Sequence, residues 1–216
     1  MTTPPGTADE DSHATGLRER WTRPENAAFL TALRSALTDG AGGTGGAGDW
    51  RAMVRAWTRP WGTENDLGGI PLAGADLSGV DLSGVYLGHA DLRGATLTRC
   101  DLTGASLTGA DLREATLTGA TLTEANAGLC DLGGADLTGA RADGALLSRA
   151  RLAGAVARGA SLRGANLVGA DLTGTDLSDA DLTDTVLVAA RLDGAVLTGA
   201  RVPRRGLPAD RAGPFR

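Results

Sequence analysis

The chain has 216 residues, 33 of them glycine, with aromatic side chains at 3% and a net charge of −5. So few rings exclude an ordinary globular interior, and two cysteines with two histidines leave little for metal chemistry. No apolar run approaches the roughly 20 residues of a membrane span, and the N-terminus lacks a basic-then-apolar leader, so cytoplasmic residence is expected.

Residues 1–20 are polar, with Pro4, Pro5 and the run Asp9-Glu10-Asp11, and read as a disordered arm. Residues 21–64 read as a helical N-terminal region. Thr22 and Glu25 have capping-box spacing, and Ala28, Phe29, Leu30, Leu33, Ala36 and Leu37 follow on one apolar face before Gly40. The glycine-rich stretch 40–48 is a flexible linker by composition. Its glycines at 43, 45 and 48 mimic a dinucleotide fingerprint but lack the preceding strand and the crossover helix, so no cofactor is expected.

Asp49 heads a second helix in which Trp50, Met53, Val54 and Trp57 share one side, ending before Pro60-Trp61. A helix this short and apolar needs a surface to sit on. Trp50, Met53, Trp57 and Trp61 are therefore expected to form a cap on whatever follows. The phrase Trp-Thr-Arg-Pro occurs at both Trp21 and Trp57, an echo with no physical account.

From Asn65 to Arg204 a central leucine recurs every fifth residue, beginning Leu67, Leu72, Leu77, Leu82, Leu87 and Leu92. Five is neither the helical nor the strand period, so neither element can bury this series. A chain that turns a corner at each unit can, because every leucine then points toward one axis. The place two before the centre is small, as at Ala75, Ala90, Ala95, Cys100, Ala105 and Ala110, which suits a narrow interior. Glycine fills the place two after it in 18 of 28 units, as a type II turn requires.

These units, typified by Ala-Asp-Leu-Thr-Gly, resemble the pentapeptide repeat proteins over the whole of 65–204. The resemblance implies an all-β solenoid, a right-handed quadrilateral β-helix with 20 residues per coil and so about seven coils, roughly 34 Å long at the strand spacing. Residues 205–216, with two prolines, read as a flexible tail. In this register Cys100 and Cys130 lie on opposite walls, about one and a half coils apart, so no disulfide is expected. Alanine replaces the central leucine at 127, 142 and 157, which predicts pinched or weaker middle coils unless Leu129 or Leu146 turns inward.

Residues 20 apart stack, so the outward position before each centre sorts into four walls. Asp91, Asp111 and Asp131 share one wall, Asp81 and Asp101 a second, and Asp76 and Asp136 a third. Tyr86, Leu146 and Val186 mark the least charged fourth wall. Residues 65–204 carry 17 acidic and 11 basic side chains, a net −6, which argues against direct nucleic-acid binding. Lone histidines and convex, solvated carboxylates make no pocket, so no catalytic, metal or cofactor residue is assigned and the chain is not expected to be an enzyme.

The expected function is a rigid acidic rod that binds or scaffolds a protein partner, with Asp81, Asp91, Asp101, Asp111, Asp131 and Tyr86 as the candidate partner-binding residues. Family resemblance adds an alternative: a DNA mimic that binds and protects DNA gyrase or topoisomerase IV. A further alternative is a repeat substrate for a modifying enzyme acting on the Asp or Thr columns.

Overall fold

The computed structural model describes residues 7–38, 50–58 and 65–203, with the side chains of 7–14, 38, 57 and 58 left aside. Three helices, α1 (Thr7–Thr22), α2 (Pro24–Thr38) and α3 (Trp50–Thr58), precede the repeats. From Asp66 onward the chain pairs with itself at one constant separation: Asp66 bridges Tyr86, Pro71 bridges Asp91, Asp76 bridges Thr96 and Asp81 bridges Asp101, all parallel. Each series continues upward to Val186, Arg191, Val196 and Arg201. The result is a stack of equal, four-sided coils with four bridge columns, one residue wide each.

Three backbone bonds per unit join neighbouring coils. Tyr86 N donates to Asn65 O of the coil beneath at 3.0 Å, while Leu87 N donates to Ser106 O at 2.7 Å and His89 N to Thr108 O at 2.9 Å in the coil above. A fourth, such as Ala90 N to Leu87 O at 3.1 Å, closes the corner. Every corner from 69 to 199 has its third residue at positive φ, between 56° and 72°. Glycine does this without a Cβ clash. His89, Arg99, Glu114, Glu124, Leu129, Arg149, Asp179, Asp184 and Ala189 do it as well, and the first seven of these donate their amides to the coil above.

The central leucines and the small residues two before them form one continuous buried core. In the middle coils no neighbouring leucine replaces a missing rung. Ala127, Ala142 and Ala157 are buried, yet Leu129 and Leu146 remain 46% and 47% exposed and do not turn in. The pitch is unchanged there: Ala127 N to Leu146 O and Ala142 N to Ser161 O measure 2.8 and 2.7 Å, the values of the fully packed coils. The missing rungs leave an enclosed apolar cavity of about 20 Å³ lined by Ala127, Ala142, Ala157 and the leucines around them.

At the N-terminus the expected disordered arm 1–20 is corrected from residue 7 onward, because Thr7–Thr22 are helical. Little apolar sequence supports α1, and its last turn is what docks. Trp21 is buried and its Nε1 donates to Gly68 O at 2.8 Å, while Arg20 reaches Asp66 and Gly68. The expected capping box is also corrected: Thr22 ends α1, donating its hydroxyl to Glu19 O, and Asn26 Nδ2 bonds Arg20 O at 2.6 Å across the break. On α2, Leu33 and Leu37 are fully buried and Phe29, Leu30 and Ala36 pack partly, but Ala28 faces out. On α3, Trp50 and Val54 are buried and Met53 packs against the same core. Trp61 and the side chain of Trp57 lie outside the described residues, so the cap seen here rests on Trp21 and Trp50.

This cap answers a defined need. In upper coils the carbonyls before and after each centre accept amides from the coil beneath; the first coil has no coil beneath it. Guanidinium groups supply the missing donors on two walls. Arg20 Nη2 serves Asp66 O (3.3 Å) and Gly68 O (2.8 Å), and Arg51 Nη2 serves Asp81 O (3.0 Å) and Ser83 O (3.1 Å). Pro71, on a third wall, has no amide to leave unpaired.

Candidate interaction walls

The wall built on the column 71, 91, 111, 131, 151, 171, 191 holds three of the candidate aspartates. None stands as a bare carboxylate. Arg93 clamps Asp91 through Nε and Nη2, both at 2.8 Å, and lies 3.7 Å from Asp111 one coil up. Arg113 clamps Asp111 at 2.8 and 2.7 Å and lies 3.8 Å from Asp131, which Arg151 also meets at 3.4 Å. The wall is a vertical ladder of alternating charge. These forks hold the carboxyls of Asp91 and Asp111 below their ordinary range and push the Arg93 and Arg113 guanidinium groups up.

Sequence reasoning missed Arg93 and Arg113 because it sorted only the position before each centre. The position after the centre lies on the same wall and meets the next coil's outward residue 18 positions on. Arg158 to Asp176 at 2.6 Å, Arg163 to Asp181 at 3.1 Å and Thr118 to Asp136 at 3.1 Å repeat that contact, so the signal was a spacing of 18 beside one of 20.

Elsewhere the candidates scatter. Asp81 bonds Arg51 of α3 at 2.9 Å, whereas Asp101 accepts the Thr103 amide and meets no cation among the described residues. Tyr86 lies flat and half-buried across two glycines: a Cβ at Gly68 would come within 2.6 Å of its Cε1, and one at Gly88 within 2.5 Å of its hydroxyl. Burial, with Asp66 nearby, raises the Tyr86 phenol above its usual range. The glycines make its bed, so the ring packs on the wall and does not project.

That fourth wall, the column 66 to 186, differs most from the ladder. Its charges are Asp66, bonded to Arg20 at 2.8 Å, and Arg149. Of the five exposed large apolar side chains among the described residues, Leu129, Leu146, Val186 and Val188 are on it and Val196 is on another. Leu129 also holds φ at 58°, a conformation that costs a leucine about 1–2 kcal/mol.

Chemistry of other kinds has little footing. Cys100 and Cys130 are buried free thiols, each pushed up to about 12 by burial, and Cys100 donates to Val80 O at 3.1 Å. No metal-binding group of His, Cys, Asp and Glu occurs among the described residues, and no described helix is long and apolar enough to cross a membrane. An open groove of about 330 Å³ runs between α1 and the charged ladder, lined by Arg18, Trp21, Pro71, Arg93 and Asp111 among others.

The repeats match the family described as pentapeptide repeats (8 copies), over residues 66–99, 97–134, 130–167 and 165–202. No curated protein matches the chain. Among solved structures it is similar to HetL, a pentapeptide repeat protein involved in heterocyst differentiation regulation from the cyanobacterium Nostoc sp. strain PCC 7120. That likeness is 31% identity over 63% of this chain and 80% of HetL, with a TM-score of 0.47. A second pentapeptide repeat protein from Nostoc PCC 7120 is 36% identical over 41% of this chain and 81% of its own, with a TM-score of 0.36. QnrB1, a plasmid-mediated fluoroquinolone resistance protein, is 21% identical over 62% of this chain and 73% of its own, with a TM-score of 0.40. With matched segments running from Asp66 to Val202, this chain belongs to the pentapeptide repeat family.

Proposed function

We propose that this chain is a non-enzymatic binding or scaffold protein, a right-handed quadrilateral β-helix whose rigid rod offers one wall to a cytoplasmic protein partner. The observation that carries this reading is the contrast between walls. The fourth wall bears two charges and four exposed apolar side chains, so a partner can dehydrate it without stripping ions of water. Asp81, Asp91, Asp101, Asp111 and Asp131 then form polar flanks that keep the rod soluble and set its orientation.

The test is a photo-crosslinking amino acid placed at 146 or at 131 in the full chain inside cells. Adducts at 146 and none at 131 are expected. Adducts at 131 alone move the interface to the charged ladder, and none at either position removes the binding reading.

Mimicry of duplex DNA toward DNA gyrase or topoisomerase IV is the second reading, supported by the net charge of −6 over 65–204. Against it stand Arg93, Arg113 and Arg151, which answer each carboxylate of the column best placed to imitate phosphates. A supercoiling assay with and without a fluoroquinolone separates the two. No effect at micromolar protein eliminates mimicry.

A further inference from the structure

We propose that the upper half of the fourth wall is a self-complementary face on which a second copy of this chain docks side by side, the two rods lying parallel; this rests on the reading of that wall as the binding surface. The wall rises there in rungs of two outward residues: 126 and 128, 146 and 148, 166 and 168, 186 and 188. Leu146, Val186 and Val188 are 47%, 43% and 60% exposed. Asn126 and Asn166 lie along their own rungs, where each Oδ1 accepts the amide two residues on, that of Gly128 at 3.3 Å and of Val168 at 3.1 Å. The face is therefore flat and low in charge.

Spacing is the first feature that selects the occupant. The rungs repeat with the coil at about 4.8 Å, and β-faces that pack on one another keep their strands aligned. A partner helix, with a pitch of about 5.4 Å, falls out of step with such rows. A second copy matches them at every rung. With a two-fold axis running along the rods, the column 126–186 of one copy lies over the column 128–188 of the other. Leu146 then meets the second copy's Ser148, large against small, and Val186 meets the second copy's Val188. Such a contact is the same on both copies and closes at two.

Charge at the two corners is the second feature, and it sets the direction. The corner before the wall carries the exposed Glu124 and Asp184, with glycine at 144 and 164, whereas the charge on the corner after it is the exposed Arg149. A Cβ at Gly144 would lie 3.7 Å from Glu124 Cγ, and one at Gly169 3.5 Å from Arg149 Cγ, so both stems run up their corners and leave the wall open. In the parallel pair each acidic corner faces a basic one. Arg149 lies one coil, about 4.8 Å, above the second copy's Glu124, a gap that two long side chains span. In an antiparallel pair acidic corner faces acidic corner, and like charges oppose it. A wall about 10 Å wide and roughly 34 Å tall buries less than the roughly 800 Å² per partner of a standard interface, so the pair is weak and reversible.

The experiment is sedimentation equilibrium of the purified full chain at roughly 1 to 500 μM, the range that suits a small interface. A monomer–dimer equilibrium with no larger species is expected. Leu146→Asp or Val188→Asp should weaken it about tenfold or more, whereas Val196→Asp, an exposed valine on another wall, should leave it unchanged. Arg149→Glu should weaken it too, and Arg149→Glu combined with Glu124→Arg should restore it, which a misfolded chain cannot do. A photo-crosslinker at 146 in the purified chain should join tryptic peptide 142–149 to the same peptide of the second copy. Capture of peptide 164–191 instead means antiparallel rods and overturns the arrangement. Self-docking is wrong if the chain stays monomeric over the whole range, if the wall variants pair as well as the parent, or if the charge swap restores nothing. A chain that is monomeric when pure yet still yields adducts from 146 in cells binds a different protein there, which sinks self-docking and leaves the binding reading standing.

Discussion

The coils at 65–124 and those at 125–164 share one backbone and differ inside. Every centre from Leu67 to Leu122 is a buried leucine, whereas Ala127, Ala142 and Ala157 leave the later coils with an enclosed cavity. Both sets of inter-coil bonds keep the same lengths, 2.6 Å for Leu107 N to Asn126 O and 2.7 Å for Ala142 N to Ser161 O. Coil pitch in this protein is thus a property of the peptide ladder, indifferent to the side chain at the centre. The middle coils keep an enclosed void of about 20 Å³.

The largest expected effect comes from copying the middle coils into the lower ones. Leu107→Ala should lower stability by about 2–5 kcal/mol in urea titration, since it removes a fully buried leucine from the ladder. A loss below about 1 kcal/mol would mean the lower coils can close after all. The converse, Ala142→Leu, should fill the existing cavity and raise stability by about 0.5–2 kcal/mol. A drop would show that the void is too small for the side chain and that the two regions are alike in packing.

Smaller again is Leu129→Gly, which relieves a leucine held at φ 58° and should stabilise by about 1 kcal/mol, while removing one apolar side chain from the least charged wall. If crosslinking at 146 falls in this variant although stability rises, strain at this corner serves binding. If neither changes, Leu129 matters to neither.

The smallest effect concerns charge. Asp111 titrates below an ordinary carboxyl because of the Arg113 fork, and Asp176 down to about 2 because of Ser178 and Arg158. A depressed folded-state pKa contributes stability that is complete above the unfolded value near 4 and is lost as pH falls toward the folded one. Melting temperature should therefore decline between about pH 4 and pH 2. Asp111→Asn should flatten that decline by less than about 1 kcal/mol, as exposed pairs do. An unchanged decline would mean that the Arg113 fork contributes nothing to stability.

The coil repeat was legible because its signal is compositional and periodic: leucine every five residues and small residues beside it admit one kind of interior. The acidic column reads differently in sequence and in structure for a reason of register. Asp111 and its neighbours are visible in the chain, but their partners Arg93 and Arg113 sit two residues along the chain from one aspartate and 18 from the next, and only stacked coils bring all three together. The cap was half legible. Apolar spacing pointed to Trp50 and Met53, while Trp21 and Arg20 adjoin a segment whose composition reads as a disordered arm, since hydrogen bonding to a coil far along the chain leaves no local pattern.

Sequence alone determined the period, the inward set and the family, since those follow from repeating chemistry at a fixed spacing. The tertiary structure decided three things that depend on which coil lies above which. It paired arginines with the aspartates, left the three alanines as a cavity because neither Leu129 nor Leu146 turns in to fill it, and set two guanidinium groups against the carbonyls of a coil that has no coil beneath it. Each is a contact between residues distant in the chain, whose partners a one-dimensional pattern does not specify.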